Sequence, residues 1–260
     1  MLKLTVGFIV VCMLLSAAVW AESPTQWTIG YDGSDANTVS LWHMNEGAGS
    51  SAADVKGIKS FTDFYGNYPT WVTGEFGAAL KFNGTSTAAY AFGPNPGYAF
   101  GVNPFTVECW LNPAEQSGMP FIFDNTGNWS LRLGETANSL EAYIGDLDGG
   151  IAVTSGAVLT PNVWQHVAMT SGGAGGKLRL WINGSVVAET NISAEAVGNG
   201  GSSPQITMGR WTYGGAYYFD GAVDEMRISN VERTFAPVPE PASLLILASG
   251  VLGIIIRRKR

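Results

Sequence analysis

Short apolar or alternating runs recur along the chain, cut by Gly, Asn, Pro and Ser. They include TVSLWHM, AALKF, FTVECWL, WSLRL, LEAYI, VWQHVAMT, LRLWI, QITMGR and FDGAVDEMRIS. Period-two alternation bounded by turn residues predicts strands, about a dozen between residues 22 and 236, and no stretch there carries a helical period. In PFTVECWL, Phe105, Val107, Cys109 and Leu111 share one face, while Trp110 lies on the other. In KLRLWINGSVVAET, Leu178, Leu180 and Ile182 alternate with Arg179 and Trp181. Asn183-Gly184 follows, and the return strand begins at Ser185. Asn-Gly tolerates the positive φ at both central positions that a type I′ turn requires, so a hairpin is predicted here. Asn83-Gly84 after LKF suggests a second. Many strands without crossover helices point to antiparallel sheets packed face to face.

Two terminal segments break this pattern. MLKLTVGFIVVCMLLSAAVWA has a basic Lys3, an apolar stretch and a small residue at 21. It reads as a signal peptide, residues 1–21, cut after Ala21; a retained transmembrane helix is the alternative. At the other end, Val238-Pro239-Glu240-Pro241 precedes fifteen residues, 242–256, and then Arg257, Arg258, Lys259 and Arg260. Fifteen helical residues span only ~22 Å, against a hydrocarbon core of ~30 Å. The terminal basic residues stay cytoplasmic by the positive-inside rule, which puts the body outside.

Composition narrows the function. The chain is rich in glycine, with 34, and only 13% of its residues are charged. Five of its 14 basic residues sit in the terminal segments, so the body is more acidic than the net charge of −7 implies. Such a surface repels phosphate backbones, which sets nucleic acid aside. SGGAGG at 171–176 lacks the Lys-Ser/Thr of a phosphate loop, so no organic cofactor is expected. Cys109 is the only cysteine left once the signal is removed, and it reads as core filler. Two histidines and one cysteine are too few for a zinc site, and His166 reads as structural.

Six segments, in order, resemble bacterial LamG-like jelly-roll domains of the concanavalin A-like lectin/glucanase superfamily. They are SLWHMNEGAGSSAADVKG, GAALKFNG, PFTVECWLNP, VWQHVAMT, KLRLWINGSVVAE and FDGAVDEMRISNVERT. The resemblance implies an all-β jelly roll of two antiparallel sheets over residues 22–236, flanked by the signal helix and a short transmembrane helix. The tail, residues 237–260, resembles the PEP-CTERM sorting signal of Gram-negative bacteria. That implies export across the inner membrane and transient anchoring there through 242–256. Processing by an exosortase would release the protein to the cell surface or beyond; a permanent anchor is the alternative.

The resemblance also supplies site expectations. A structural calcium in such folds joins the first loop to the last strand, and the matching positions are Glu46, Asp54, Asp220 and Asp224; Asp146 with Asp148 is a second acidic cluster. The bland alternative is sheet-edge solubility. For carbohydrate, aromatic platforms with planar polar partners are needed. Trp110, Asp124, Asn125, Trp129, Arg179, Trp181, Arg210, Trp211 and Tyr213 supply both types, although strand aromatics also simply pack. Jelly-roll glucanases carry a Glu-x-Asp-x-x-Glu strand, which is missing, and Glu108 stands alone on its strand. The expectation is therefore a non-enzymatic module that binds glycan or extracellular matrix polymer, in a biofilm or exopolysaccharide setting. A structural matrix protein and a glycoside hydrolase of the same fold are the rivals.

Overall fold

A computed structural model describes residues 33–65, 69–91, 98–125, 127–145, 150–193, 206–212 and 216–237. The expected signal peptide at 1–21, the expected transmembrane helix at 242–256 with the tail from Val238 on, Asp146, Asp148 and Tyr213 lie outside the described residues. Among the described residues every regular element is a strand. The first sheet contains β1 (Thr38–Trp42), β3 (Thr70–Thr73), β4 (Ala78–Asn83), β6 (Phe105–Pro113), β11 (Gln165–Ser171), β12 (Lys177–Ile182), β13 (Ser185–Asn191) and β15 (Asp220–Ser229). Its order is β13-β12-β11-β6-β15-β4-β3, with β1 also on β15. The second contains β2 (Asp63–Tyr65), β5 (Ala88–Ala91), β7 (Phe121–Asn125), β8 (Trp129–Leu133), β9 (Ser139–Ile144), β10 (Ile151–Ala157) and β14 (Ile206–Met208). It runs β10-β9-β8-β7-β14-β5-β2. All these strand pairs are antiparallel, as the short turn-bounded runs require.

The predicted alternation faces the core where the two sheets meet. Phe105, Val107, Cys109 and Leu111 of β6 join Val167, Met169, Leu178 and Leu180 there, against Ile122, Leu131 and Ala142 of the second sheet. Asn183, at φ 47°, and Gly184, at φ 78°, close the expected hairpin. Asn83-Gly84 makes no hairpin. Its β4 lies in one sheet and the following β5 in the other. The Asn83 carboxamide oxygen accepts from the Thr85 and Ser86 amides, turning the chain across the sandwich. An Asn-Gly pair fixes a turn, but not which sheet the next strand joins.

β15 is the long central strand. One edge follows β6 for its whole length, and the other pairs first with β4 and then with β1. An extra residue is inserted opposite β6 between Asp224 and Arg227. Glu225, at φ 49°, occupies that bulge, and His43 Nδ1 meets its carboxylate at 2.7 Å. The hydrogen bond to Glu225, offset in part by burial, raises the His43 pKa.

After β15 the chain does not leave as a free linker. Residues 230–237 cross the outer face of the first sheet. Thr106 Oγ1 donates to the Val231 carbonyl at 2.8 Å and accepts from the Arg233 amide at 2.9 Å. Arg179 pairs with Glu232, and Arg233 pairs with Asp35. Phe235 packs on His166 at 4.9 Å and Trp181 at 5.4 Å. The strap then passes over the hairpin turn so closely that a Cβ on Gly184 would lie 2.0 Å from the Ala236 carbonyl oxygen. Gly184→Ala is therefore expected to lift the strap, and Phe235→Ala to unpin it. Each should lower stability by about 1–3 kcal/mol in urea unfolding. Unchanged midpoints in both would show that the strap adds nothing to the domain.

Candidate functional site

Under the strap lies a charged cluster. Glu108 on β6 receives Arg227 of β15 at 2.8 Å, and meets His166 Nε2 of β11 at 2.9 Å. All three side chains are buried. The strand register makes this possible, because Glu108 lies opposite Arg227 and two residues, on the same face, from Trp110, the partner of His166. Burial alone would raise the Glu108 pKa. The Arg227 charge and the His166 hydrogen bond outweigh it and hold the carboxylate at about 2. A carboxylate so held cannot donate a proton near neutral pH, so Glu108 is not placed to act as a general acid.

The four carboxylates expected to hold calcium do not converge. Asp54 accepts from Ser40 Oγ and from the Leu41, Lys56, Ile58 and Lys59 amides. It organises its own loop. Glu46 accepts from the Ala53 amide, Asp220 pairs with Lys81, and Asp224 accepts from the Phe76 amide. Among the described residues no three His, Cys, Asp or Glu side chains are grouped to hold a metal ion. The donor set offered by these four positions therefore does not fit one calcium, which needs six to eight converging oxygens.

The expected aromatic and polar residues fall in four places. Trp129 starts β8 but points between the sheets, 2% exposed, with its indole N–H on the Tyr98 carbonyl. Asn125 donates to that same carbonyl, and Asp124 accepts from the Thr212 amide. Trp129 and Asn125 thus hold the segment that leads into β6, and Asp124 holds the segment that follows β14. Arg179 and Trp181 do face away from the core, but Glu189, Glu232 and Phe235 take them up. Local alternation reported the correct face and could not report the cover.

Arg210 and Trp211 form the centre of a surface on the outside of the second sheet. The Arg210 guanidinium sits over Tyr65 at 5.4 Å and Tyr218 at 5.6 Å. Trp211 stacks on Phe121, with ring centroids 6.5 Å apart, and meets Tyr217 edge-on at 6.1 Å. Arg132, paired with Glu141, covers the Phe121 ring at 5.1 Å. Tyr65 and Tyr217 remain 53% and 42% exposed. Tyr217 also holds φ 61°, an uncommon conformation for a bulky residue, secured by its carbonyl accepting from the Phe121 amide at 3.0 Å. Tyr65 was absent from the expected set because it lies about 145 residues away and only β2 placement brings it there.

On the opposite outer face, a cleft of about 610 Å³ opens where β6, the β10–β11 connection and the β12–β13 hairpin meet. Trp110, Trp164, Gln165, Asn183, Glu75 and Pro237 are among its walls. Trp110 is 8% exposed, and its indole N–H has no acceptor. Asp224 pairs with Trp110 across the strands, and its Oδ1 also has no partner. Burial raises the Asp224 pKa to about 7 despite the Phe76 amide.

Residues 83–238, more than half of the chain, match the family model of the concanavalin A-like lectin/glucanases superfamily. The chain belongs to that superfamily. Residues 237–260 match the PEP-CTERM protein-sorting motif, which marks the chain for export and sorting to the cell envelope or surface. No curated protein matches it. Among solved structures, the binding domain of Paraclostridial Mosquitocidal Protein 1 superposes with a TM-score of 0.60 at 15% identity, covering 76% of this chain and 50% of that one. The binding domain of botulinum neurotoxin DC, solved with SialylT, gives 0.56 at 13%, covering 76% and 49%. The same domain with rat synaptotagmin II gives 0.55 at 13%, again covering 76% and 49%. This chain spans about half the length of these neighbours, and the likeness is one of jelly-roll fold.

The charged cluster of this lectin-like jelly roll makes a pH prediction. The folded Glu108 pKa lies below the ordinary carboxylate value of ~4.3. Its contribution is thus complete above about pH 4.5 and is lost as pH falls toward 2. Asp224 acts in reverse, since its raised pKa costs stability as pH rises from about 4 through 7. Glu108→Gln should lose about 3–5 kcal/mol at neutral pH, because Arg227 stays buried without its counter-charge. It should also flatten the acid limb of a denaturation-midpoint profile. A variant as stable as the parent at pH 7 would refute the cluster's role.

Proposed function

We propose that this exported jelly roll is a non-catalytic module that binds glycan or extracellular matrix polymer at the cell envelope. The observation that carries the reading is the aromatic–arginine surface around Arg210 and Trp211. Flat rings stack on the apolar faces of sugars, and a guanidinium offers several donors in a fixed plane to hydroxyl or carboxylate oxygens. The rings here are held by one another and by two arginines, so little ordering entropy remains to be lost on binding. The ionised, strap-covered Glu108 supports a non-catalytic reading. Two neighbours that contain this fold over about half their length are binding domains, solved with SialylT and with rat synaptotagmin II, which supports a binding rather than a catalytic reading.

The sorting motif supports a course in which the chain is exported, held briefly at the inner membrane and processed by an exosortase. The body would then reside on the surface or in an exopolysaccharide matrix. Mass spectrometry of protein recovered from the producing cells should find the carboxyl end upstream of residue 242; intact chains ending at Arg260 would favour a permanent anchor.

The binding reading is tested by co-sedimentation with extracellular polysaccharide and a panel of insoluble glycans. The parent should be retained, and Trp211→Ala should weaken retention about tenfold, the equivalent of ~1.4 kcal/mol. No retention on any glycan would leave the structural matrix protein as the better account.

A further inference from the structure

We infer that the cleft beside Trp110 is a second saccharide site, and that the domain is a cross-linker carrying one site on each outer face. This rests on the glycan reading of the Arg210–Trp211 surface, but concerns the opposite sheet. The cleft's volume of about 610 Å³ lies within the range of pockets that enclose small ligands. Its lining combines two indoles, Trp110 and Trp164, with the side chains of Thr160, Asn183 and Ser185. Apolar rings beside hydroxyl and amide groups match the two characters of a sugar ring.

A specific feature points to an occupant. The indole N–H of Trp110, a residue that lines the cleft, is buried without an acceptor, an unfavourable state that a ligand oxygen would relieve. A hydroxyl group accepts as well as donates, so a polyhydroxylated ligand could meet that N–H and still donate to the Asn183 or Ser185 side of the cleft. The lining includes Glu75 and neither Lys nor Arg, which disfavours an anionic ligand. The cleft therefore suits neutral saccharide units, whereas the opposite surface, with its two arginines, also accommodates acidic ones.

The two sites face away from each other, on outer sides of sheets packed ~10 Å apart. One polymer strand cannot lie along both faces without wrapping around the sandwich. Two strands can be bridged by one domain, and linked sites raise retention beyond either alone. A monomeric protein would then gather polymer.

The test uses the full chain in detergent, one chain per micelle. It is titrated by calorimetry with short oligosaccharides released by partial acid hydrolysis from the polysaccharide it retains. Two sites per chain are expected. Trp164→Ala and, separately, Ser185→Arg at the exposed rim should each leave one site, and Trp211→Ala should leave the other. The parent should make the intact polysaccharide turbid, and each variant should abolish turbidity while still binding. A single site in the parent, or Trp164→Ala and Ser185→Arg variants that keep two, overturns the inference and leaves the glycan reading intact. No binding by the parent overturns both.

Discussion

One carboxylate governs the middle of the first sheet. Glu108 joins three adjacent strands, β11, β6 and β15, through His166 and Arg227. A buried ion pair repays its desolvation only when the geometry is close and the remaining lone pairs are occupied. Both Glu108 oxygens are occupied here, one by each partner. The pairing works only if β6 lies in one register against both neighbours, so it discriminates against slipped sheets, in which the charges would be stranded.

That cluster also explains the strap. A charged patch on an outer sheet face would ordinarily be left to water. Phe235 lies against His166 and Trp181, and Thr106 ties residues 231 and 233 to β6. The strap keeps water from the cluster, and the cluster gives the strap a fixed floor. Pro237 then becomes part of the cleft wall. The residue next to the sorting motif is thereby held by the folded body rather than by a slack linker.

The two outer faces differ in chemistry because different elements cover them. Among the described residues no strap crosses the centre of the second sheet, and rings lie against Arg132 and Arg210 there, with Glu141 paired to Arg132. The first sheet is covered over β6 and β11 and opens at the hairpin end, where the indoles of Trp110 and Trp164 are found. The two proposed ligand surfaces therefore differ in chemistry, and the sheets behind supply their rigidity.

Much of this was legible in the residues. Alternation in PFTVECWL and KLRLWI named the core faces, Asn183-Gly184 named a turn, and the C-terminal segment declared its sorting motif, because each depends on chain neighbours alone. Arg210 and Trp211 drew notice for the same reason, as part of an aromatic stretch in a Gly-rich loop. The sequence by itself could not show that Glu108 meets His166 and Arg227, 58 and 119 residues further on. Nor could it show that Trp129 turns inward, that Asp54 spends its oxygens on its own loop, or that Phe235 returns to the sheet. Pattern reports which way a side chain leaves its strand. What it meets there depends on strand order and register, and only the packed sandwich sets those.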